Sequence, residues 1–174
     1  MATIDDKIKQ FKKEIGEAVL TGQQQRVYDT FVRTSGKPVL FTVTDKNGNT
    51  VKFQIFPDRP QEGSQHILLK HFHGRTGNVS AFDILSICDT VQFGDIVIND
   101  KNHICYKWKR TSGGKTVITS LKIIKSGYIL KSFYSEVEKK DFLSSPIVFT
   151  AKRRAWWQKS PSWRERQEIR RKSN

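Results

Sequence analysis

The stretch HILLKHFHG, residues 66–74, holds three of the chain's four histidines together with a lysine. Imidazole titrates near neutral pH, so it is the side chain best suited to both accept and donate a proton there. On a continuous helix, at about 100° per residue, Leu68, Leu69 and Phe72 share one side. His66, Lys70 and His73 cluster opposite them, and His71 lies off to the side. The segment reads either as one wall of an active site or as a solvated basic face turned toward an anionic partner. Metal chemistry fits it poorly. His66 and His71 are five residues apart rather than the four that stack two imidazoles on a helix, and no Cys, Asp or Glu cluster adjoins them. No metal and no other cofactor is expected.

Two later segments carry further polar groups. HICYKWKR alternates Ile104, Tyr106 and Trp108 with Cys105, Lys107 and Lys109, so one strand face is aromatic and the other cationic. Arg110 follows directly. LKSFYSE places Lys131, Phe133 and Ser135 on one side and Ser132 and Tyr134 on the other. A pair of hydroxyls aimed at one surface is able to hydrogen-bond a phosphoryl oxygen. Other phosphate and hydrolase signatures are absent. TSGGKT lacks the spacing of a P-loop and joins strands rather than opening a helix, and neither a nucleophile elbow nor HExxH occurs.

Composition narrows the partner. Lys and Arg number 31 against 17 Asp and Glu, a net charge of +14. Such an excess repels itself in the compact state and favours polyanionic partners, nucleic acid first, then an anionic membrane surface or an acidic protein. Half of that charge falls in AKRRAWWQKSPSWRERQEIRRKSN, residues 151–174, which also holds three of the four tryptophans. There Arg153 and Arg154 suit phosphates, while Trp156 and Trp157 suit stacking on unpaired bases. Pro161 interrupts any continuous membrane-surface helix. Cys88 and Cys105 sit in apolar runs and read as buried thiols, not as a disulfide framework. The N-terminus has no apolar signal core, and no run approaches the ~18 apolar residues of a membrane span. A cytoplasmic site of action is expected, whether or not the protein is delivered there from elsewhere.

The elements that must position these groups follow from periodicity. TIDDKIKQFKKEIGEAVL reads as a helix capped by Thr3 with Asp6 completing a capping box, and Ile4, Ile8, Phe11, Ile15 and Val19 form its stripe. QQRVYDTFVRT reads as a second helix. PVLFTVT and NTVKFQIF alternate at period two around DKNG and form a hairpin. SQHILLKHFH reads as a helix capped by Ser64 and stopped at Gly74, and VSAFDILSICDTV as one capped by Ser80. DIVINDKNHICYKWKR, KTVITSLKIIKS and GYILKSFYSEV supply further strands, and SPIVFT an edge strand. The sum is an α+β fold: an antiparallel sheet of about 4–6 strands with helices packed on one face. Residues 1–36 form an N-terminal helical segment, 37–150 the main domain and 151–174 a basic Trp/Arg-rich tail.

This order of elements resembles the small toxin-type ribonucleases grouped as barnase, EndoU, colicin D and RelE-like, including those carried by phages and mobile elements. The resemblance rests on His66, Ile67 and His71 before Gly74, with an inserted FH, and on Ser132 and Tyr134 in the final strand. It covers residues 38–136. It implies a metal-independent endoribonuclease acting on tRNA or another structured RNA, with an acidic immunity or antitoxin protein as a second partner. In such a reaction the substrate's own 2′-hydroxyl attacks phosphorus, so the protein supplies an acid, a base and charge stabilisation. The resemblance assigns His66 or His71 as general base or acid. Lys107 or Lys109 clamps the phosphate, and Ser132 and Tyr134 donate to it. Lys70, His73, Arg110 and Lys131, with the tail, form the expected RNA-binding surface. The alternative is a non-catalytic protein that binds nucleic acid or blocks an acidic host target.

Overall fold

The computed structural model describes residues 1–98, 102–110 and 115–136. These fall within one compact unit, Met1–Val137. The basic tail, with Arg153, Arg154, Trp156 and Trp157, and the SPIVFT segment lie outside the described residues.

Two N-terminal helices form as their caps dictate. In α1 (Ile4–Ile15) and α2 (Gly22–Phe31), Thr3 and Thr21 each accept a backbone N–H while Asp6 and Gln24 return the bond. Val19 does not extend the α1 stripe, because the helix ends at Gly16 and leaves Val19 exposed. Both helices join the main core rather than standing apart. Phe11 is fully buried between Tyr28, Phe31 and Phe72.

The sheet begins with the hairpin of β1 (Val39–Thr44) and β2 (Thr50–Ile55), paired from Val39↔Ile55 to Thr44↔Thr50. Its turn is held by the Asp45 carboxylate, which accepts from the backbone N–H of Asn47 and Asn49. Then come α3 (Ser64–Lys70), α4 (Ala81–Leu85) and α5 (Ile87–Phe93). The strands β3 (Asp95–Ile98), β4 (His103–Lys109), β5 (Thr116–Ile124) and β6 (Gly127–Ser135) complete a six-stranded sheet in the order β1-β2-β6-β5-β4-β3. The fold is therefore α+β, and mostly antiparallel. One pairing departs from expectation: β2 and β6 run parallel, joined over Phe53↔Tyr128 and Gln54↔Ile129 alone. The pairing ends at Ile129, and farther along β6 Ser135 bonds the loop that follows the histidines.

Alternation sorts the two sheet faces. Phe41, Val43, Val51, Phe53, Tyr106, Val117, Leu121, Leu130 and Phe133 share one core with the helices. An irregularity in the pairing, Ser120↔Ser132 followed by Leu121↔Leu130, leaves Lys131 as the extra residue of a β-bulge. The bulge lets Leu130 and Phe133, three residues apart, both face the core.

Helix details also differ from the sequence pattern. VSAFDILSICDTV is two helices, broken where the Ser86 hydroxyl and N–H both turn back to the Asp83 carbonyl. Ser64 is not the cap of α3: Gly63 occupies that position, and the Ser64 hydroxyl is buried against the Phe56 carbonyl. Most consequentially, α3 stops at Lys70, so His71, Phe72 and His73 are not on the helix. Ile67, rather than Leu69, joins Leu68 in the core, and Leu69 is exposed.

Candidate active site

After Lys70 the chain folds back at once. His71 N–H bonds the Ile67 carbonyl at 2.9 Å, and Gly74 N–H bonds the His71 carbonyl at 3.0 Å. Gly74 permits this because a Cβ there would stand 2.1 Å from the Lys70 carbonyl oxygen. The loop then closes on itself. Val79 N–H donates to the His71 carbonyl at 3.0 Å and His73 N–H to the Val79 carbonyl at 3.1 Å. Phe72 anchors the loop in the core, and the Lys7 ammonium donates to its carbonyl at 2.8 Å.

The far side of the loop lies on β6 where β2 has left it. Ser135 N–H donates to the Gly77 carbonyl at 3.2 Å, and its hydroxyl to the Asn78 carbonyl at 2.6 Å. Between the loop and β6 stands the His71 ring. Its Nδ1 lies 2.9 Å from the Thr76 carbonyl oxygen. A carbonyl only accepts, so Nδ1 carries the proton and Nε2 keeps its lone pair. On either side of this ring are the His66 ring, with centroids 5.5 Å apart, and the Tyr134 ring at 5.6 Å. The His71 ring thus has both a second imidazole and a phenol as neighbours.

Their protonation follows from burial and like charge. Burial pushes the His66 imidazole down to about 4, helped by His71, Lys70 and Lys131, while a hydrogen bond to the Pro60 backbone opposes them. Burial also lowers His71, against the Thr76 hydrogen bond and with Lys70. Both rings are neutral at pH 7. Burial raises the Tyr134 phenol, with Cys105 and Glu136 adding to it, so Tyr134 remains a hydroxyl donor. The Lys131 ammonium reaches over to the Gln61 carbonyl at 3.1 Å. The Ser132 hydroxyl is buried with no hydrogen-bond partner among the described residues. A buried unpaired hydroxyl is costly unless a ligand completes it.

The other expected residues are placed as follows. Lys107 is on the sheet face opposite the core, paired through Ile118 to the row of Tyr134, and its ammonium meets Glu136 at 2.6 Å. Lys109 is exposed on the same face as Lys107 by parity. Lys52 and Lys122 share that face, opposite their inward-facing neighbours. Lys70 is exposed beside the histidine pair. His73 and Arg110 are turned elsewhere. His73 meets Glu14 at 2.5 Å, and Arg110 pairs with the buried Asp83 at the start of α4, where Lys115 also bonds. Burial opposes the Asp83 charge, yet Lys115 and Ser80 hold its pKa below the usual range. Glu14 also accepts from Ala81 N–H at 2.9 Å, so the His73 pair fastens α1 to the histidine loop. Cys88 and Cys105 are buried thiols.

Sequence reasoning missed the loop that orients His71: Thr76, Gly77 and Asn78. The signal was RTGN. Gly77 has φ +62°, and a Cβ there would stand 2.8 Å from Tyr134 Cβ and 3.1 Å from His71 Nδ1. Among the described residues no group of three or more His, Cys, Asp or Glu side chains is arranged to hold a metal ion, and no helix is long and apolar enough to cross a membrane. No family model, curated protein or solved structure matches the chain.

Two outcomes follow from this geometry. The unfolded chain binds protons near 6.5 that the folded imidazoles refuse, so stability is fully present above that value. The thermal midpoint should drop as pH falls from 6.5 toward 4, and a His66→Gln variant should drop less over that window. Gly77→Ala should lose ~1–3 kcal/mol in urea unfolding from the strained backbone alone. It should also shift the His71 ring signals in NMR spectra, because the new methyl meets that ring.

Proposed function

We propose that this chain is a metal-independent endoribonuclease centred on His66, His71, Lys131, Ser132 and Tyr134. The observation that carries the reading is the His71 ring, held by the Thr76 carbonyl between His66 and Tyr134. It joins a fixed lone pair, a second imidazole, a phenol and a neighbouring ammonium in one place, which is the set that 2′-hydroxyl attack on phosphorus needs.

The roles follow from protonation. His71 Nε2 takes the proton of the 2′-hydroxyl. The 2′-oxygen bonds phosphorus, the P–O5′ bond breaks, and a proton goes to the leaving 5′-oxygen. His66 supplies that proton. It is neutral in the free protein, but a bound phosphodiester anion favours its charged form and raises its pKa. The Lys131 ammonium and the Ser132 and Tyr134 hydroxyls surround the non-bridging oxygens. Lys52 and Lys109, exposed on the sheet face away from the helices, fit the flanking phosphates, with Lys107 and Lys122 beside them on Glu136 and Glu62.

Those same lysines support a second reading, a nucleic-acid-binding protein without chemistry. One experiment separates the two. Incubation with total RNA should give fragments ending in 2′,3′-cyclic phosphate, unaffected by EDTA. His71→Ala should slow cleavage by ~10²–10⁴-fold, the usual worth of a positioned base, while RNA affinity changes little. Intact tRNA, rRNA and mRNA across a wide range of protein concentration would leave only the binding reading.

A further inference from the structure

The connection from β2 to α3, residues 56–63, carries groups that the catalytic reading does not use. It is pinned at several points. Ser64 N–H donates to the Phe56 carbonyl at 3.2 Å, and the Gln65 amide to the Pro57 carbonyl at 3.0 Å. The Lys131 ammonium donates to the Gln61 carbonyl, and His66 bonds the Pro60 backbone. The connection is therefore fastened to two of the proposed site's own side chains.

On it, the Arg59 guanidinium lies over the Phe56 ring, with its carbon 3.6 Å from the ring centroid. An edge nitrogen donates to Glu62 at 2.6 Å. Glu62 is nearly buried and faces the Lys122 ammonium at 3.8 Å on its other oxygen. The guanidinium plane is thus fixed by a ring beneath and a carboxylate at its edge, while the side chain stays 48% exposed. Nearly half of the side chain's surface is thus left to a further partner. Single-stranded RNA is read by splaying bases onto such planes, aromatic or guanidinium.

We propose that the open face of Arg59, stacked on Phe56 and braced by Glu62, is a base-stacking subsite that receives an unpaired nucleobase next to the scissile phosphate. This rests on the ribonuclease reading and adds a substrate class to it. The strand is cut where it is single-stranded, because a base inside a duplex is already stacked and has no free face to offer. Duplex RNA meets the lysine face but not this plane.

The test uses the full chain and a single-stranded 2′-O-methyl oligonucleotide, which lacks the attacking hydroxyl, with fluorescent 2-aminopurine at each position in turn. Binding should brighten the probe at one position, where the base leaves its stacked neighbours. Arg59→Lys keeps the charge and removes the plane. It should abolish that brightening and weaken binding by ~10-fold, within the range of one lost base stack. Phe56→Leu, which removes the platform beneath, should do the same to a smaller degree. No brightening at any position, or unchanged brightening and affinity in Arg59→Lys, overturns the subsite. The matching oligoribonucleotide is assayed for cleavage in parallel. An Arg59-dependent brightening without cleavage sinks the ribonuclease reading and leaves the subsite. Cleavage with KM and kcat unaltered by Arg59→Lys does the reverse.

Discussion

One hydrogen bond organises this molecule's chemistry: His71 Nδ1 to the carbonyl of Thr76, at 2.9 Å. It fixes the imidazole's tautomer and its plane, and leaves Nε2 with an available lone pair. The bond exists because residues 71–79 fold back as a closed loop, and the loop stays put because Phe72 is buried at one end and Ser135 grips it at the other. The loop meets β6 at Ser135, beyond the last residue that pairs with β2, Ile129. A core phenylalanine, a serine on β6 and a glycine at positive φ thus converge on the orientation of one ring.

Lysines surround the two histidines, and the Glu136 carboxylate acts on Tyr134 beside them. Two histidines share a partly buried space near Lys70 and Lys131, and each is held neutral by its surroundings. Two carboxylates elsewhere are satisfied within the fold. Asp83 collects Arg110, Lys115 and the Ser80 cap, and Glu14 collects His73 and the Ala81 N–H. Near the histidines the balance is different, with cations beside neutral rings and an unpartnered Ser132 hydroxyl.

The fold was legible where side chains alternate or caps are explicit. The period-two pattern of PVLFTVT and NTVKFQIF marks the β1–β2 hairpin, and Thr3 and Asp6 mark the start of α1. Lys107 and Lys109 share a face as alternation requires. The histidine geometry was not legible by the same means. A helical wheel drawn through Gly74 groups His66 with His73, whereas the chain leaves the helix at Lys70 and brings His66 to His71. The cause is a close backbone approach at Gly74, which no hydrophobic period reports. The bulge at Lys131 is likewise silent in the sequence, though it decides that Ser132 and Lys131 leave the core side while Phe133 and Leu130 stay in it. Arg110 reads as one more phosphate cation in sequence. It is spoken for by a buried carboxylate 27 residues earlier in the chain.

The central claim is that His66, His71 and Tyr134 line one phosphate-binding centre. NMR titration of the imidazole signals with and without a nucleoside 3′-monophosphate tests it most directly. The ligand should raise the pKa of His66 from about 4, raise that of His71 with it, and shift the Tyr134 ring signals at the same ligand concentration. If the nucleotide binds and leaves all three unmoved, the anion sits elsewhere and the account of the centre is wrong.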